Sequence, residues 1–241
     1  MNIVIDRGNS GNKIALFEKN TLVKSFQLTV LTKAVLLPII EEFHPQASIL
    51  CTVTKKDSIL NAFLANTVPV FYEMNTQLSL PLTIDYKTPK TLGMDRIAAA
   101  VGALKQKPDT NLLIIDIGTA ITVDFITDKG VYKGGNISPG PILRFRALHR
   151  FTNKLPLINE NGDIPDLGYD TETAIRSGVI EGIVRELDSY ITEYKKKQPV
   201  FAFLTGGYAF YFERRLKNAI FADGNLVLNG LNEILNDQLV I

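Results

Sequence analysis

Apolar residues gather along this chain in short runs of strand length and in longer stretches with helical spacing. The first run, Ile3-Val4-Ile5, stops on Asp6, passes through Arg7-Gly8-Asn9-Ser10-Gly11-Asn12, and returns from Lys13 to Phe17. This reads as strand, turn, strand. Residues 21–29 read as a third strand. Residues 33–44 read as a helix, with Pro38 expected near its start or at a kink. A strand is expected at 47–53, followed by an amphipathic helix with Ile59, Leu60, Phe63 and Leu64 on one face. Short strands follow at 68–72 and 82–86. Residues 93–104 then form a helix of small residues, whose Ala98-Ala99-Ala100 run lets another backbone approach.

The second half repeats the plan. Strands are expected at 112–115, 121–126 and 131–136, with Lys129-Gly130 as a turn. A helix follows at 141–151, where Pro141 suits the first turn. A long helix at 171–197 carries the stripe Ile175, Val179, Ile183, Leu187, Tyr190 and Ile191, and Lys195-Lys196-Lys197 complements its C-terminal dipole. A strand at 201–204 delivers Thr205-Gly206-Gly207, and a last helix covers 231–239. Polar residues and a proline cluster over 106–111, which sets the expected boundary between residues 1–108 and 109–241. The fold class is α/β: two duplicated domains, each a mixed sheet with flanking helices.

Composition narrows the function. The chain has 241 residues, 46% hydrophobic, with 26 basic and 25 acidic side chains. That length can bury a large core, and the near-neutral balance argues against nucleic acid as a partner. No apolar run is long enough to span a bilayer, and the N-terminus enters a strand without a basic leader. Cys51 is the single cysteine and lies inside an apolar strand, so it reads as a buried thiol in a reducing, cytoplasmic protein. With two histidines and no Cys/His zinc pattern, the general base of an enzyme would be a carboxylate.

The chemistry centres on residues 111–127. Here Leu112 to Ile115 stops on Asp116, a tight turn passes through Gly118-Thr119, and a second apolar strand leaves from Ile121. The glycine lets a backbone N–H approach a ligand closely. A carboxylate, a glycine and a hydroxyl at a strand end suit a phosphate, with the carboxylate on the side of a metal and its water. One such turn alone is an ordinary hairpin. Asp6-Arg7-Gly8 and Asp116-Ile117-Gly118 form the pattern twice, on the order of a hundred residues apart, which points to duplicated domains clamping one nucleotide. Lys13 could reach a phosphate as a point charge, or be a solvent-facing strand residue. Thr205-Gly206-Gly207 could meet a nucleotide at a helix start, or be only a strand-to-helix turn. Asp95, in Gly93-Met94-Asp95-Arg96, could be a catalytic carboxylate, or merely suit the start of its helix.

Together these residues resemble the acetate and sugar kinase, heat-shock chaperone and actin superfamily. Within it they resemble the type III pantothenate kinases. The resemblance covers nearly the whole chain. It rests on Asp6-Arg7-Gly8-Asn9-Ser10, Gly93-Met94-Asp95-Arg96, Asp116-Ile117-Gly118-Thr119-Ala120 and Gly134-Gly135-Asn136-Ile137-Ser138-Pro139-Gly140. It implies two actin-like ATPase domains and phosphorylation of pantothenate by ATP, the first step of coenzyme A biosynthesis. Asp6, Gly8, Asn9, Ser10 and Lys13 would bind ATP, with Gly118, Thr119, Gly206 and Gly207. Asp95 would accept the proton of the attacking hydroxyl. Tyr86, Gly93, Met94, Asp95, Arg96 and Thr171 would contact pantothenate, Arg96 either through its carboxylate or by a salt bridge that positions Asp95.

Asp6 would serve Mg²⁺. Asp116 matches a monovalent-cation ligand (K⁺ or NH₄⁺) in the family, whereas its own setting suggests the magnesium side. The resemblance also implies a homodimer, with the helix around Ala98–Ala100 or the helix 171–197 near the interface. Two departures stand out. Arg7 replaces the usual small or apolar residue of Asp-x-Gly, and Gly11-Asn12 replaces a more hydroxyl-rich turn. A sugar or acyl kinase of the same superfamily would share the hairpins without needing Tyr86 and Thr171. A non-catalytic regulator on the same fold would be expected to lack Asp95 or a phosphate hairpin.

Overall fold

The computed structural model describes every residue except Ser10, Lys56 and Ile241. The chain forms two compact units. Unit 1 comprises Met1–Thr110, Ile126–Gly134 and Asn225–Ile241; unit 2 comprises Asn111–Phe125 and Gly135–Gly224. Among the described residues, no helix is long and apolar enough to cross a membrane.

In unit 1 the strands β1 (Asn2–Arg7), β2 (Asn12–Glu18), β3 (Thr21–Leu28), β4 (Ala47–Thr52) and β5 (Val70–Glu73) form one sheet in the order β3-β2-β1-β4-β5. β1 and β2 pair antiparallel, with Asp6 opposite Lys13. β1 and β4 pair parallel, with Asp6 opposite Cys51. The apolar residues of the central strand are all fully buried, as expected where helices cover both faces. β3 is largely exposed, which suits an edge strand with Thr21, Lys24, Ser25 and Gln27.

Two helices of this unit refine the sequence reading. α1 (Lys33–Phe43) carries Pro38 inside it rather than at its start, and the helix continues past it. α2 (Ser58–Thr67) buries Leu60 and Leu64, while Ile59 stands 73% exposed. Only part of the predicted apolar face is therefore core. The core of unit 1 gathers Ile3, Ile5, Ile14, Leu16, Leu36, Leu50 and Leu64.

α3 (Met94–Gln106) and α7 (Leu226–Leu239) pack closely in unit 1. A Cβ on Gly102 would stand 2.3 Å from the Leu226 carbonyl oxygen, and one on Gly230 would stand 1.8 Å from that of Ala98. Each glycine meets the carbonyl of the residue four positions before the other glycine. The contact is reciprocal. The backbone that approaches the Ala98–Ala100 run is thus α7 of the same chain, and these three alanines are buried. That face is not available to a second copy. α7 is further fixed by amides: Asn2 donates to the side-chain oxygens of Asn232 (2.9 Å) and Asn236 (2.8 Å), and Asn232 donates to the Lys19 carbonyl.

Unit 2 repeats the sheet. β7 (Leu112–Ile117), β8 (Ala120–Ile126), β9 (Val131–Pro139), β10 (Phe201–Thr205) and β11 (Phe221–Ala222) stand in the order β9-β8-β7-β10-β11. This is the order of unit 1 with each strand replaced by its counterpart. β10 runs parallel to β7, with Thr205 opposite Asp116, just as β4 runs parallel to β1. The first four residues of β9 belong to unit 1, where Val131 and Tyr132 pair with the two-residue β6 (Thr83–Ile84). Both sheets are mixed and both carry helices. The α/β duplicated architecture is the one the sequence predicts.

The helices α4 (Pro141–Phe151) and α5 (Thr171–Lys197) match their expected bounds. α5 starts with a capping box: the Asp170 carboxylate accepts from the Thr173 N–H at 2.8 Å, and the Asp170 N–H donates to the Thr173 hydroxyl at 3.1 Å. Its stripe of Ile175, Val179, Ile183, Leu187 and Ile191 is buried against β7, β8 and β10 residues, with Tyr190 partly buried beside it. The five-residue α6 (Ala209–Glu213) and β11 have no counterpart in the sequence reading. α7 starts five residues earlier than expected.

Candidate active site

Unit 1 assembles the first set of predicted residues. Asp6 is the fifth residue of β1 and Lys13 its cross-strand neighbour on β2. Between them the Gly8 N–H donates to the Gly11 carbonyl at 3.0 Å, closing the turn. Gly8 is half-buried, Asn9 is exposed, and Ser10 lies outside the described residues. Arg7, the residue that departs from the family pattern, turns to Asp57 at 3.1 Å. Asp57 is the N-cap of α2, where it also accepts from the Leu60 N–H at 3.0 Å. Asn12 donates to the Leu28 and Thr29 carbonyls and ties the turn to the end of β3. Both departures thus have local structural partners.

Asp95 is the second residue of α3, in the first turn, where an ionised carboxylate interacts favourably with the helix dipole. Its Oδ1 accepts from the Arg96 N–H at 2.9 Å. The same oxygen lies over Gly93: a Cβ there would stand 2.5 Å from it. The glycine before the helix is therefore the space that the carboxylate occupies. Met94 is the first helical residue, and Arg96, also in the first turn, is buried.

Asp95 also acts on Asp6. Burial, then the charge of Asp95, push the Asp6 carboxyl up to about 6, while Lys13 pulls it down. Burial, with Asp6 and Asp95 nearby, likewise raises the fully buried Cys51 thiol well above its ordinary value. Cys51 is thus the inert strand thiol expected from its sequence setting, though its place beside Asp6 had no local sequence signal. Two carboxylates and an ammonium share one partly buried place, a balance that can hold or move a proton.

Tyr86 is half-buried and follows β6. Its ring stands edge-on to Tyr132, with centroids 6.3 Å apart.

Unit 2 assembles a second set. Asp116 is the fifth residue of β7, the position Asp6 holds in β1. The turn after it closes with the Gly118 N–H donating to the Ala120 carbonyl at 3.0 Å. Gly206 has φ +92°, and a Cβ there would lie 2.4 Å from Asp116 Oδ1 and 2.6 Å from the Ile117 carbonyl oxygen. Only a residue without a side chain fits this place. Gly140 packs on the same turn: its N–H donates to the Thr119 carbonyl at 3.0 Å, and a Cβ would stand 2.2 Å from the Gly118 oxygen. Asp116, Gly118, Thr119 and Gly206 are therefore one cluster, with Gly207 exposed beside it. Thr171 is the first residue of α5, exposed, next to the capping Asp170.

Among the described residues, no group of three or more His, Cys, Asp and Glu is arranged to hold a metal. The two expected cation ligands stand in different settings. Mg²⁺ commonly binds one or two carboxylates and completes its shell with waters and substrate phosphates, and Asp6 offers such a carboxylate. At Asp116 a carboxylate oxygen and the Ile117 carbonyl oxygen both pack on the bare Gly206 backbone, and the Ile117 carbonyl accepts from the Tyr208 N–H at 3.1 Å.

The family model for type III pantothenate kinases matches residues 2–193. The chain is 58% identical over 235 residues to the type III pantothenate kinase of Azobacteroides pseudotrichonymphae genomovar. CFP2, covering 98% of this chain and 96% of that one. It is 45% identical over 238 residues to that of Bacteroides fragilis (strain YCH46), covering 98% of each. Among solved structures, a Baf family protein from Campylobacter jejuni superposes with a TM-score of 0.63 at 22% identity, covering 99% of this chain and 100% of that one, which supports the fold. On the family match and these identities, the chain belongs to the type III pantothenate kinases.

Proposed function

We propose that this chain phosphorylates pantothenate with ATP, and that Asp95 is its general base. The observation that carries the assignment is the place of Asp95. It heads a helix, its carboxylate rests on Gly93, and its charge is felt by Asp6. Phosphoryl transfer needs alignment and charge neutralisation more than covalent chemistry. Asp95 accepts the proton of pantothenate's primary hydroxyl as that oxygen attacks the γ-phosphorus in line. It stands in the first turn of α3, where a carboxylate interacts favourably with the helix dipole.

In unit 1, Lys13 and the turn residues Gly8 and Asn9 are assigned to ATP phosphates, and Asp6 to Mg²⁺. In unit 2, Gly118, Thr119, Gly206 and Gly207 are assigned to ATP and Asp116 to a monovalent cation. The chemistry that these cations supply when bound is neutralisation of phosphate charge. Tyr86, Gly93, Met94, Arg96 and Thr171 are assigned to pantothenate. Arg96 is buried and sits directly after the base, which suits it to hold a carboxylate or to position Asp95.

The enzyme is inferred to be a cytoplasmic homodimer. Support for the dimer lies in unit 2, where Phe151, Leu167 and Tyr169 are 81%, 85% and 71% exposed close to the ends of α4 and α5. A coupled ADP-release assay across pantothenate, hexoses and acetate tests the activity. Turnover confined to pantothenate is expected. Turnover on a hexose or acetate with none on pantothenate would transfer the chain to another kinase class.

A further inference from the structure

We propose that Gly134 and Tyr132 are positioning residues that seat the ring of Tyr86 and thereby set the affinity for pantothenate. The inference rests on the assignment of Tyr86 to that substrate.

Tyr86 stands on a segment with little regular structure. β6 is two residues long, and residues 85 and 87–91 are exposed. What holds the segment is β9. Thr83 pairs with Val131 and Ile84 with Tyr132. The Thr83 N–H donates to the Gly130 carbonyl and the Asp85 N–H to the Tyr132 carbonyl, both at 2.9 Å. Backbone pairing ends there, one residue before Tyr86.

The side chain is then held by two neighbours of different kinds. Tyr132 is fully buried and presents its ring edge-on to that of Tyr86 at an interplanar angle of 70°. Such a pair fixes ring orientation as well as burying area. Gly134 supplies empty space. A Cβ at this position would lie 3.1 Å from Tyr86 Cδ2 and 3.2 Å from Cε2, tighter than ordinary contact. Its φ of +105° is also one that L side chains rarely adopt. The adjacent Gly135 has a separate reason to be glycine: a Cβ there would stand 1.9 Å from the Val123 carbonyl oxygen. The two glycines of Gly134-Gly135 therefore do different work, and the first works for Tyr86.

The ring is thus gripped by its body. Its hydroxyl is not used inside the protein, since Tyr86 makes no hydrogen bond among the described residues. A phenol with a fixed ring and an unspent tip suits recognition of a small polar substrate whose amide and hydroxyl groups need a donor or acceptor in one place. Fixing it beforehand removes the ordering cost that binding would otherwise carry.

The test is steady-state kinetics with pantothenate and ATP varied separately. The variants are Tyr86→Phe, Tyr86→Leu, Gly134→Ala, Tyr132→Leu and the double variant Tyr86→Leu/Tyr132→Leu. The seat predicts that Gly134→Ala and Tyr132→Leu raise KM for pantothenate about 3- to 10-fold and leave KM for ATP unchanged. It also predicts that Tyr132→Leu adds nothing once Tyr86 is Leu, because the ring it seats is gone. Gly134→Ala must place a side chain at positive φ; if that variant does not fold, Tyr132→Leu decides. Tyr86 variants that leave pantothenate KM unchanged would overturn the substrate assignment, and the seat with it. Tyr86 variants that raise it, beside seat variants with wild-type KM or with an undiminished effect in the Tyr86→Leu background, would overturn the seat alone.

Discussion

The two hairpins are copies in topology and differ in what their carboxylates face. Asp6 and Asp116 each stand fifth in a six-residue strand, with a parallel neighbour on one side and a returning strand on the other. Asp6 faces a second carboxylate, Asp95, and an ammonium, Lys13. Asp116 faces bare backbone, where Gly206 leaves its carboxylate room. The neighbours matched in register also differ, a buried thiol at Cys51 and a buried hydroxyl at Thr205. Duplication supplied the same scaffold twice, and the residues around each Asp gave the copies different surroundings: a second charge-bearing set in the first, bare backbone in the second.

The sharpest way to break that contrast is at Asp95. Asp95→Asn keeps the shape and the hydrogen bond to the Arg96 N–H while removing the proton acceptor. A fall in kcat of about 10² to 10⁴ is expected, with ATP binding little changed. Single-turnover rates and ATP titration of the variant check this. Near-wild-type turnover would overturn Asp95 as the base.

The second hairpin breaks differently, through its backbone. Gly206→Ala forces a side chain into positive φ and against both Asp116 Oδ1 and the Ile117 carbonyl. A loss of about 2–3 kcal/mol of stability is expected, read as a thermal midpoint lower by about 5–10 °C. Gly118→Ala is the control from the same cluster. Its Cβ would meet Asp116 Oδ1 at 3.6 Å and the Ala120 oxygen at 3.7 Å, ordinary contacts, so its midpoint should stay near wild type. Equal losses in the two variants would show that Asp116 is not held against Gly206.

Much of this arrangement was legible in the sequence where the signals were local and strong. β1 and β7 are apolar runs that stop on Asp, and both were read as strands. α4 and α5 were read to the residue because Pro141 fits a first turn and Lys195–Lys197 a last one. Weak local signals misled. The apolar face of α2 overcounted the core, since Ile59 points to solvent. The start of α7 was missed because Asn229 and Gly230 interrupt helical propensity, and Gly230 is there for Ala98, more than a hundred residues earlier. α6 and β11 are too short to leave a periodicity. The pairing of Asp6 with Asp95 had no local mark at all. It arises because α3 packs on β4, the strand beside β1, and family resemblance, not spacing, gave Asp95 its role. Gly134 was quoted only as part of a motif; its φ and its contact with Tyr86 needed the structure.

The finest test of the contrast is the pH dependence of stability at the first hairpin. Asp6 ionises at about 6 in the folded protein, above its ordinary value of 3.8, because burial and the Asp95 charge both oppose a second negative charge there. Between those two values the folded state holds a proton that the unfolded chain has lost. Stability contributed by protonated Asp6 is therefore full below about pH 4 and is lost as pH rises through about 6. Asp6→Asn removes that loss. The ligand-free variant should match wild type near pH 4 and exceed it at pH 8 by about 2 kcal/mol, a value reduced from the full conversion because Asp6 keeps some solvent access. Urea unfolding at pH 4, 6 and 8 without nucleotide reads the difference directly. The same variant should lose activity, since the carboxylate assigned to Mg²⁺ is gone. Stability gained and turnover lost in one substitution would mark the buried Asp6 carboxylate as a cost the fold carries for catalysis. A variant whose advantage is the same at all three pH values would mean that Asp6 is strained neither by its burial nor by its partner, and that the two hairpins are more alike than their surroundings indicate.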